Sequence, residues 1–220
     1  MDPLACVRRE VGGVLYADDA GILPKSADGL AKMMTVIVTV FEAAGLTVPE
    51  KMTETMLLRT PDQAPCTSTI VIEAAGQSHR QPTSFMYLGG LIDANADIMP
   101  EIKHLVRLAW ACYSRFKREL YDMEAAPFAL KLHMLKADVM KTLLYLYVTW
   151  TLGKEQFAEL RTAHHRFLRR IIGFRRRQRT DYLMSYAKAL KRAQCEKVET
   201  TIRKRRLLLR EPYSGRTMSG

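Results

Sequence analysis

V-G-G-V-L-Y-A-D-D-A-G-I-L, residues 11–23, places two apolar runs on either side of an adjacent acidic pair, Asp18 and Asp19. Short apolar runs around such a break are typical of a strand, a tight turn and a second strand. Two neighbouring carboxylates at a hairpin tip repel each other by about 4 kcal/mol at about 4 Å in an effective dielectric near 20. Water relieves that repulsion and so does a divalent cation, so a plain turn and a metal-binding turn both remain open.

A helix is predicted directly after this hairpin. Ser26 can cap its first turn, the positions from Leu30 to Phe41 carry apolar residues at helical spacing, and Gly45 can end it. The β-branched run at 35–40 favours a strand on propensity alone. Because the cap, the period and the stop all agree, the sequence predicts a helix here.

Beyond this helix the chain changes character twice. Short β-rich pieces are predicted around 53–59, 68–73 and 85–92, between Pro and Gly clusters. From Pro100 onwards the apolar spacing is helical. The predicted helices cover, in order, 102–120, 127–152 ending at Gly153, 157–171 ending before Gly173, and a basic segment from about Asp181. The sequence therefore predicts an α+β protein, a small antiparallel sheet packed on one helix and then a helical region.

The net charge of +11 is concentrated at the C-terminal end of the chain. Residues 161–220 hold 18 Lys and Arg against 4 Asp and Glu, a balance of +14, so the preceding residues carry −3. One-sided positive charge is typical of a surface that binds a polyanion, since each neutralised phosphate releases counterions. A solvated basic helix face has the same composition, and charge alone leaves both interpretations open.

The cysteines and the hydropathy pattern argue against several protein classes. The four cysteines, Cys6, Cys66, Cys112 and Cys195, are far apart and form no C-x-x-C pair, which indicates neither a zinc site nor a disulfide framework. We therefore expect a reducing, intracellular setting. No apolar leader opens the chain, and the longest apolar run, 143–152, is too short to cross a bilayer, so we expect no membrane partner.

The acidic hairpin and the segments after it resemble, in order and spacing, a reverse transcriptase of the non-LTR retrotransposon type. L-Y-A-D-D at 15–19 is similar to the Tyr-x-Asp-Asp hairpin of these enzymes, and 42–56 to the palm motif that comes next, a Gly-Leu and then a Lys-Thr. F-M-Y-L-G-G-L-I at 85–92 is similar to their Phe-x-Tyr-Leu-Gly primer-grip hairpin. The stretches 143–152 and 169–173 resemble the helical region after the palm.

The resemblance implies roles for the residues of the first hairpin. Asp18 would ligate catalytic Mg²⁺, with Asp19 beside it as a secondary ligand, and Tyr16 and Ala17 would line the nucleotide and primer site. Lys51 is the nearest candidate for the cation that protonates or orients the leaving pyrophosphate. These roles predict an RNA-directed DNA polymerase, a nucleotidyltransferase.

The resemblance also implies two nucleic-acid contacts. Phe85, Tyr87, Leu88 and Gly89 would shape the primer grip, where a glycine lets a backbone approach closely; a plain strand core is the alternative for the three larger side chains. The densest cationic stretch is expected to follow the backbone of an RNA template, a DNA primer or their hybrid duplex. It consists of Arg161, Arg166, Arg169, Arg170, Arg175, Arg176, Arg177 and Arg179.

Two departures from the family pattern predict that the chain does not polymerise alone. Met52 directly precedes Thr53 where the family has lysine, so the lysine is shifted by one place, which in a strand turns a side chain to the opposite face. Two-metal catalysis in this family also uses an aspartate from an upstream strand. Fifteen residues precede Tyr16, and none of them resembles that strand.

Three regions follow from this interpretation: the C-terminal part of a palm at 1–95, a helical thumb-like region at 96–176 and a basic helical tail at 177–220. Two other functions stay open on the sequence. A stand-alone basic nucleic-acid-binding protein needs only the C-terminal charge. The other is a helical scaffold protein, in which Asp18 and Asp19 would form only a solvated turn.

Overall fold

The computed structural model describes residues 13–16, 19–49, 53–58, 71–74, 77–80, 82–173 and 184–210. The chain divides into two compact units, Met1–Ala96 and Asp97–Gly220. The described part of the first unit holds three β-hairpins and one helix, whereas the described part of the second is helical. The α+β class predicted from the sequence is confirmed.

The acidic stretch forms the predicted hairpin. β1 (Gly13–Tyr16) pairs antiparallel with β2 (Asp19–Ile22), and Tyr16 lies directly opposite Asp19. Two residues connect the strands, which is the shortest common hairpin loop. Asp19 therefore opens the second strand, immediately after the turn.

Helix α1 (Ala27–Ala43) begins and ends where the sequence predicts. The side-chain oxygen of Ser26 accepts a hydrogen bond from the backbone N–H of Gly29 (3.1 Å), which satisfies one donor of the first turn. Gly45 has a φ of +77°, the left-handed conformation that ends many helices. Between these two signals the β-branched run at 35–40 is helical.

Two further hairpins follow α1. β3 (Val71–Ala74) pairs with β4 (Gln77–Arg80), and β5 (Ser84–Tyr87) pairs with β6 (Gly90–Asp93). Among the described strands each pairs only with its own hairpin partner, so the strands make three separate ribbons. Helix α1 lies against β3 and buries Met34 and Val38.

One predicted β-rich piece is not a strand. Residues 53–58 have no regular secondary structure, so the strand predicted at 53–59 is wrong over these residues. The hydroxyl of Thr53 donates to the carbonyl oxygen of Pro49 (3.0 Å), and Thr55 is buried. Such local side-chain bonds to the backbone compete with the pairing of a sheet.

The second unit begins with α2 (Met99–Arg115), which carries Pro100 in its first turn as predicted. A π-helical turn (Lys117–Tyr121) follows it. Glu101 is buried on α2, and so are the apolar side chains of Ile102, Leu105, Ala109 and Tyr113. These side chains form one wall of the core of this unit.

The long helix predicted at 127–152 is confirmed over 128–143 and is wrong over 144–152. α3 (Phe128–Met134) continues through a π-helical turn (Leu135–Val139) into α4 (Met140–Leu143). Residues 144–149 then form turns rather than a helix.

The break after α4 is held by side chains from the far end of the unit. The guanidinium of Arg206 donates to the carbonyl oxygens of Tyr147 (2.9 Å) and Trp150, and the guanidinium of Arg205 lies 5.8 Å from the ring centre of Tyr147. Leu146 has a φ of +55°, which no continuous α-helix allows. Because Arg206 lies 56 residues after Trp150, local periodicity could not reveal this contact.

Helix α5 (Lys154–Ile171) confirms the helix predicted over 157–171. The N–H of Gly153 donates to the side-chain oxygen of Gln156 (3.1 Å), and Gly173 follows the helix with a φ of +75°. The face of α5 that enters the core consists of Leu160, Ala163, His164, Phe167, Leu168 and Ile171.

The predicted basic segment contains two helices in the described part of the chain. α6 (Tyr186–Ala193) is capped by Ser185, and α7 (Val198–Arg210) follows it. The start predicted near Asp181 lies outside the described residues. Gln194 ends α6 with a φ of +50°. Both helices enter the core, through Ala189, Leu190, Ala193, Val198 and Ile202.

A buried polar contact joins α5, α6 and α7. A hydrogen bond of 2.8 Å links Nδ1 of His164 to the hydroxyl of Tyr186, and the same hydroxyl accepts a bond from the backbone N–H of Val198 (3.1 Å). Burial lowers the pKa of His164 to about 4. His164 therefore lies in the core as a neutral packing residue.

None of the described helices is both long enough and apolar enough to cross a membrane.

Candidate functional site

The first hairpin presents its polar side chains to solvent. Tyr16 is 65% exposed, and Asp19, opposite it across the ribbon, is exposed as well. Ala17 and Asp18 form the connection and lie outside the described residues. The structure thus brings one predicted nucleotide-site residue and one predicted metal ligand to the same end of one ribbon.

The described residues do not by themselves make a magnesium site. Carboxylate oxygens are the ligands that Mg²⁺ prefers, so Asp19 is of the right kind. However, no three His, Cys, Asp or Glu side chains come together to hold a metal ion anywhere in the described ranges. A two-metal centre needs more donors than one adjacent acidic pair supplies, so we derive no catalytic step through a metal.

The hairpin β5–β6 places the predicted primer-grip residues at its tip. Tyr87 pairs with Gly90, and Leu88 and Gly89 connect them with φ values of +48° and +77°. Positive φ at both central residues is typical of the type I′ turn, which follows the twist of paired strands. Leu88 is an unusual residue there, since a side chain with a branched γ-carbon rarely adopts this conformation.

The strand before this turn has two different faces. Phe85 and Tyr87 are half-buried, whereas Met86 between them is 47% exposed. Alternating faces are what a ribbon with one packed side produces. This arrangement fits both a strand core and a primer grip, so the alternatives predicted for Phe85 and Tyr87 stay open.

The predicted lysine cannot be compared with the hairpin. Lys51 and Met52 lie outside the described residues, so the geometry of the shifted lysine is not part of the described structure. Only Thr53 of the Lys-Thr comparison is described, and its hydroxyl bonds to the backbone of Pro49.

The described arginines of the predicted cationic stretch lie in different environments. Arg161 forms an ion pair with Glu199 of α7, with its Nε donating to a carboxylate oxygen at 2.8 Å. The guanidinium of Arg170 lies 5.2 Å from the ring centre of Trp110, Arg169 is half-buried and Arg166 is exposed. The other members of the stretch, Arg175, Arg176, Arg177 and Arg179, lie outside the described residues.

A second group of cations was not singled out from the sequence. Lys188, Lys191 and Arg192 are exposed on α6, and their spacing of three and four residues puts them on one face of that helix. The sequence signal for this face existed, since Ala189, Leu190 and Ala193 alternate with the cations at helical spacing.

No protein-family model matches this chain, and no solved structure matches it at a significant level. Among curated proteins the chain is similar to one from Caenorhabditis elegans whose name describes it as uncharacterized and transposon-derived. The two are 23% identical over 170 residues, which cover 75% of this chain and 58% of that protein. The chain thus spans 58% of the length of the relative that it matches.

Proposed function

We propose that this chain derives from a transposable element and is part of a reverse transcriptase, an RNA-directed DNA polymerase of the non-LTR retrotransposon type. The observation that carries the proposal is the acidic pair of Asp18 and Asp19 at the tight connection of β1 and β2, with Tyr16 facing Asp19. The order of the later elements supports it, because α1, the hairpin β5–β6 and a basic helical unit follow in sequence. The similarity to a transposon-derived protein supports the same origin.

In this proposal each part of the chain has a defined task. Asp18 and Asp19 are the carboxylates that hold Mg²⁺, and Tyr16 and Ala17 line the nucleotide. Lys51 orients the leaving pyrophosphate. Phe85, Tyr87, Leu88 and Gly89 contact the primer, and the helical unit holds the template and primer backbone.

The 220-residue chain does not polymerise by itself. Its sequence offers one carboxylate cluster for metals where the two-metal mechanism uses two. In this proposal, two-metal catalysis also needs an upstream palm aspartate and fingers, which residues 1–220 do not supply.

Primer extension on a primed RNA template, with Mg²⁺ or Mn²⁺, tests the proposal. We expect no templated incorporation by the chain alone. Incorporation is expected when a second polypeptide carrying fingers and the upstream palm strand is added, and an Asp18→Ala variant of this chain should abolish it. Incorporation by the chain alone, above the level of the Asp18→Ala variant, would contradict the prediction that the chain is inactive alone.

A non-catalytic nucleic-acid-binding protein is the second candidate, and the exposed cations of α6 are the observation that favours it. The same assay separates the two candidates. If no added palm polypeptide restores incorporation while the chain still binds nucleic acid, the second candidate is the better one.

A further inference from the structure

The exposed face of α6 has an unusual charge for a helix of its length. Lys188, Lys191 and Arg192 occupy one side, and Ala189, Leu190 and Ala193 are buried on the other. An α-helix advances about 100° per residue, so the three cations fall within an arc of about 100°. Like charges at these spacings repel each other and destabilise a helix.

Helix stability accounts for two of these cations and not for the third. Lys191 and Arg192 lie in the last turn, where the negative end of the helix dipole favours positive charge. Lys188 lies in the first turn, where the dipole disfavours it, and that turn contains no acidic residue. The folding of α6 therefore gives no reason for a cation at Lys188.

The acidic residues of the segment are already engaged. Residues 184–210 hold nine Lys and Arg against two Glu, a balance of +7. Glu199 pairs with Arg161 and Glu196 pairs with Lys204. Among the described residues no carboxylate lies within ion-pair distance of the three cations of α6. Their charge is left for an external anion.

We propose that the α6 face of Lys188, Lys191 and Arg192 is a binding surface for the phosphate backbone of nucleic acid. This proposal rests on the proposed function only because both have nucleic acid as the partner. The surface itself lies beyond residues 14–173, which carry the resemblance to a polymerase. Lys188 and Arg192 are four residues apart, which is about 6 Å along the helix axis. One strand of a duplex carries a charge about every 3.4 Å, so this row spans about two such intervals and can lie alongside about three phosphates.

The composition of the face also defines what it does not read. Its exposed residues are the three cations and Ala187, so the described part of α6 offers no exposed aromatic ring to stack on a base. We expect binding through this face to follow the charge of the backbone and to tolerate a paired duplex.

The test compares the full chain with the variant K188Q/K191Q/R192Q. Fluorescence anisotropy with two duplexes of equal length and unrelated sequence, and with an RNA–DNA hybrid, gives affinity between about 50 and 200 mM salt. Three phosphate contacts contribute about 2.7 to the slope of log affinity against log salt. Over this range the wild type should therefore lose about 40-fold more affinity than the variant.

A matched control removes three exposed cations elsewhere in the same unit. The variant K103Q/R107Q/R118Q changes the net charge by the same amount and should leave the slope unchanged. The variant K188R/K191R keeps the positive charge of the α6 face and should also leave the slope unchanged. An equal loss of slope in K103Q/R107Q/R118Q, or no loss in K188Q/K191Q/R192Q, overturns the proposal. So does equal binding of poly-glutamate, which would point to an acidic protein partner.

Two measures keep this result interpretable. Far-UV circular dichroism checks that each variant is folded, and the single variant K188Q, with an expected slope change of about 0.9, replaces the triple variant if that one unfolds. The slope is measured without nucleotides, so it does not depend on polymerisation. A failure of the polymerase proposal is thereby distinguished from a failure of this surface.

Discussion

At the scale of single residues, the hydroxyl of Tyr186 connects three helices at the edge of the described core. It bonds to His164 on one side and accepts from the backbone of Val198 on the other, so one oxygen fixes the positions of three helices. Buried polar groups with such partners are costly to disturb, because a lost partner leaves the others desolvated. The ring of His164 is held neutral by the same burial.

The lowered pKa of His164 predicts a loss of stability in acid. The unfolded chain takes up a proton near pH 6.5, whereas the folded chain does so only near pH 4, so the folded state loses free energy as pH falls between these values. Glu199, which raises the pKa, and His165 and Lys136, which lower it, are the charged neighbours. Between about pH 7.5 and 4.5 we expect a loss of about 2–3 kcal/mol from this histidine.

Urea unfolding at the two pH values measures this contribution by comparison with His164→Gln. The wild type should lose about 2–3 kcal/mol more than the variant. His165→Gln, at the neighbouring and more exposed position, is the control and should lose nearly as much as the wild type. Equal losses in the wild type and His164→Gln would contradict the prediction.

At the scale of elements, α7 contacts the turns that follow α4, 56 or more residues earlier in the chain. Arg205 and Arg206 lie against these turns. Arg206 donates hydrogen bonds to carbonyl oxygens that would be paired within the helix if α4 continued. A helix end satisfied by a distant side chain depends on that side chain for its stability.

Arg206→Gln is therefore expected to destabilise the helical unit by about 1–3 kcal/mol, because the carbonyls of Tyr147 and Trp150 lose a charged donor. Urea unfolding followed by tryptophan fluorescence measures the change. Arg203→Gln, three residues earlier on the same helix and exposed, is the matched control and should change the free energy by less than about 0.5 kcal/mol. If both variants behave alike, Arg206 does not hold the turns.

The elements that the sequence predicts correctly are those whose signals are local. The hairpin of β1 and β2 and the helix α1 depend on a turn, a cap and a stop within 13–45, and all are found. The helix predicted at 127–152 is wrong over 144–152, where the distant side chain of Arg206 bonds to the carbonyls of Tyr147 and Trp150. The strand predicted at 53–59 fails over 53–58, where Thr53 bonds to nearby backbone instead of a partner strand.

The candidate sites obey the same rule. The acidic pair and the Tyr-Leu-Gly-Gly turn are contiguous in sequence and could be found there. Whether a cation is open to a ligand depends on its tertiary neighbours, and Glu199 lies 38 residues from Arg161. For that reason the sequence predicts a basic region correctly but does not show which of its cations are exposed and free of an ion pair.

At the scale of the whole molecule, the second unit has a continuous apolar core in its described part. That cluster runs from Ile102 to Ile202, whereas helix α1 of the first unit buries Met34 and Val38. Since burial of apolar surface is the main stabilising contribution, we expect the units to differ in stability.

We expect the first unit to unfold at lower urea than the second. The chain has two tryptophans, Trp110 and Trp150, and both lie in the second unit, so tryptophan fluorescence reports that unit alone. Hydrogen exchange of the amides of α1 should lose protection below the fluorescence midpoint, and exchange of the α5 amides should lose it at that midpoint. Coincident loss in α1 and α5 would show one cooperative molecule instead.

The bond between Tyr186 and Val198 has a practical consequence for anyone who wishes to shorten this polypeptide. A stop codon placed after α6 would remove residues that resemble a charged appendage in sequence. It would in fact remove a hydrogen-bond donor from the half-buried phenol of Tyr186, take Val198 and Ile202 out of the core and leave the carbonyls of the turns after α4 without the Arg206 donor. The smallest piece of the helical half that keeps its fold therefore extends through α7.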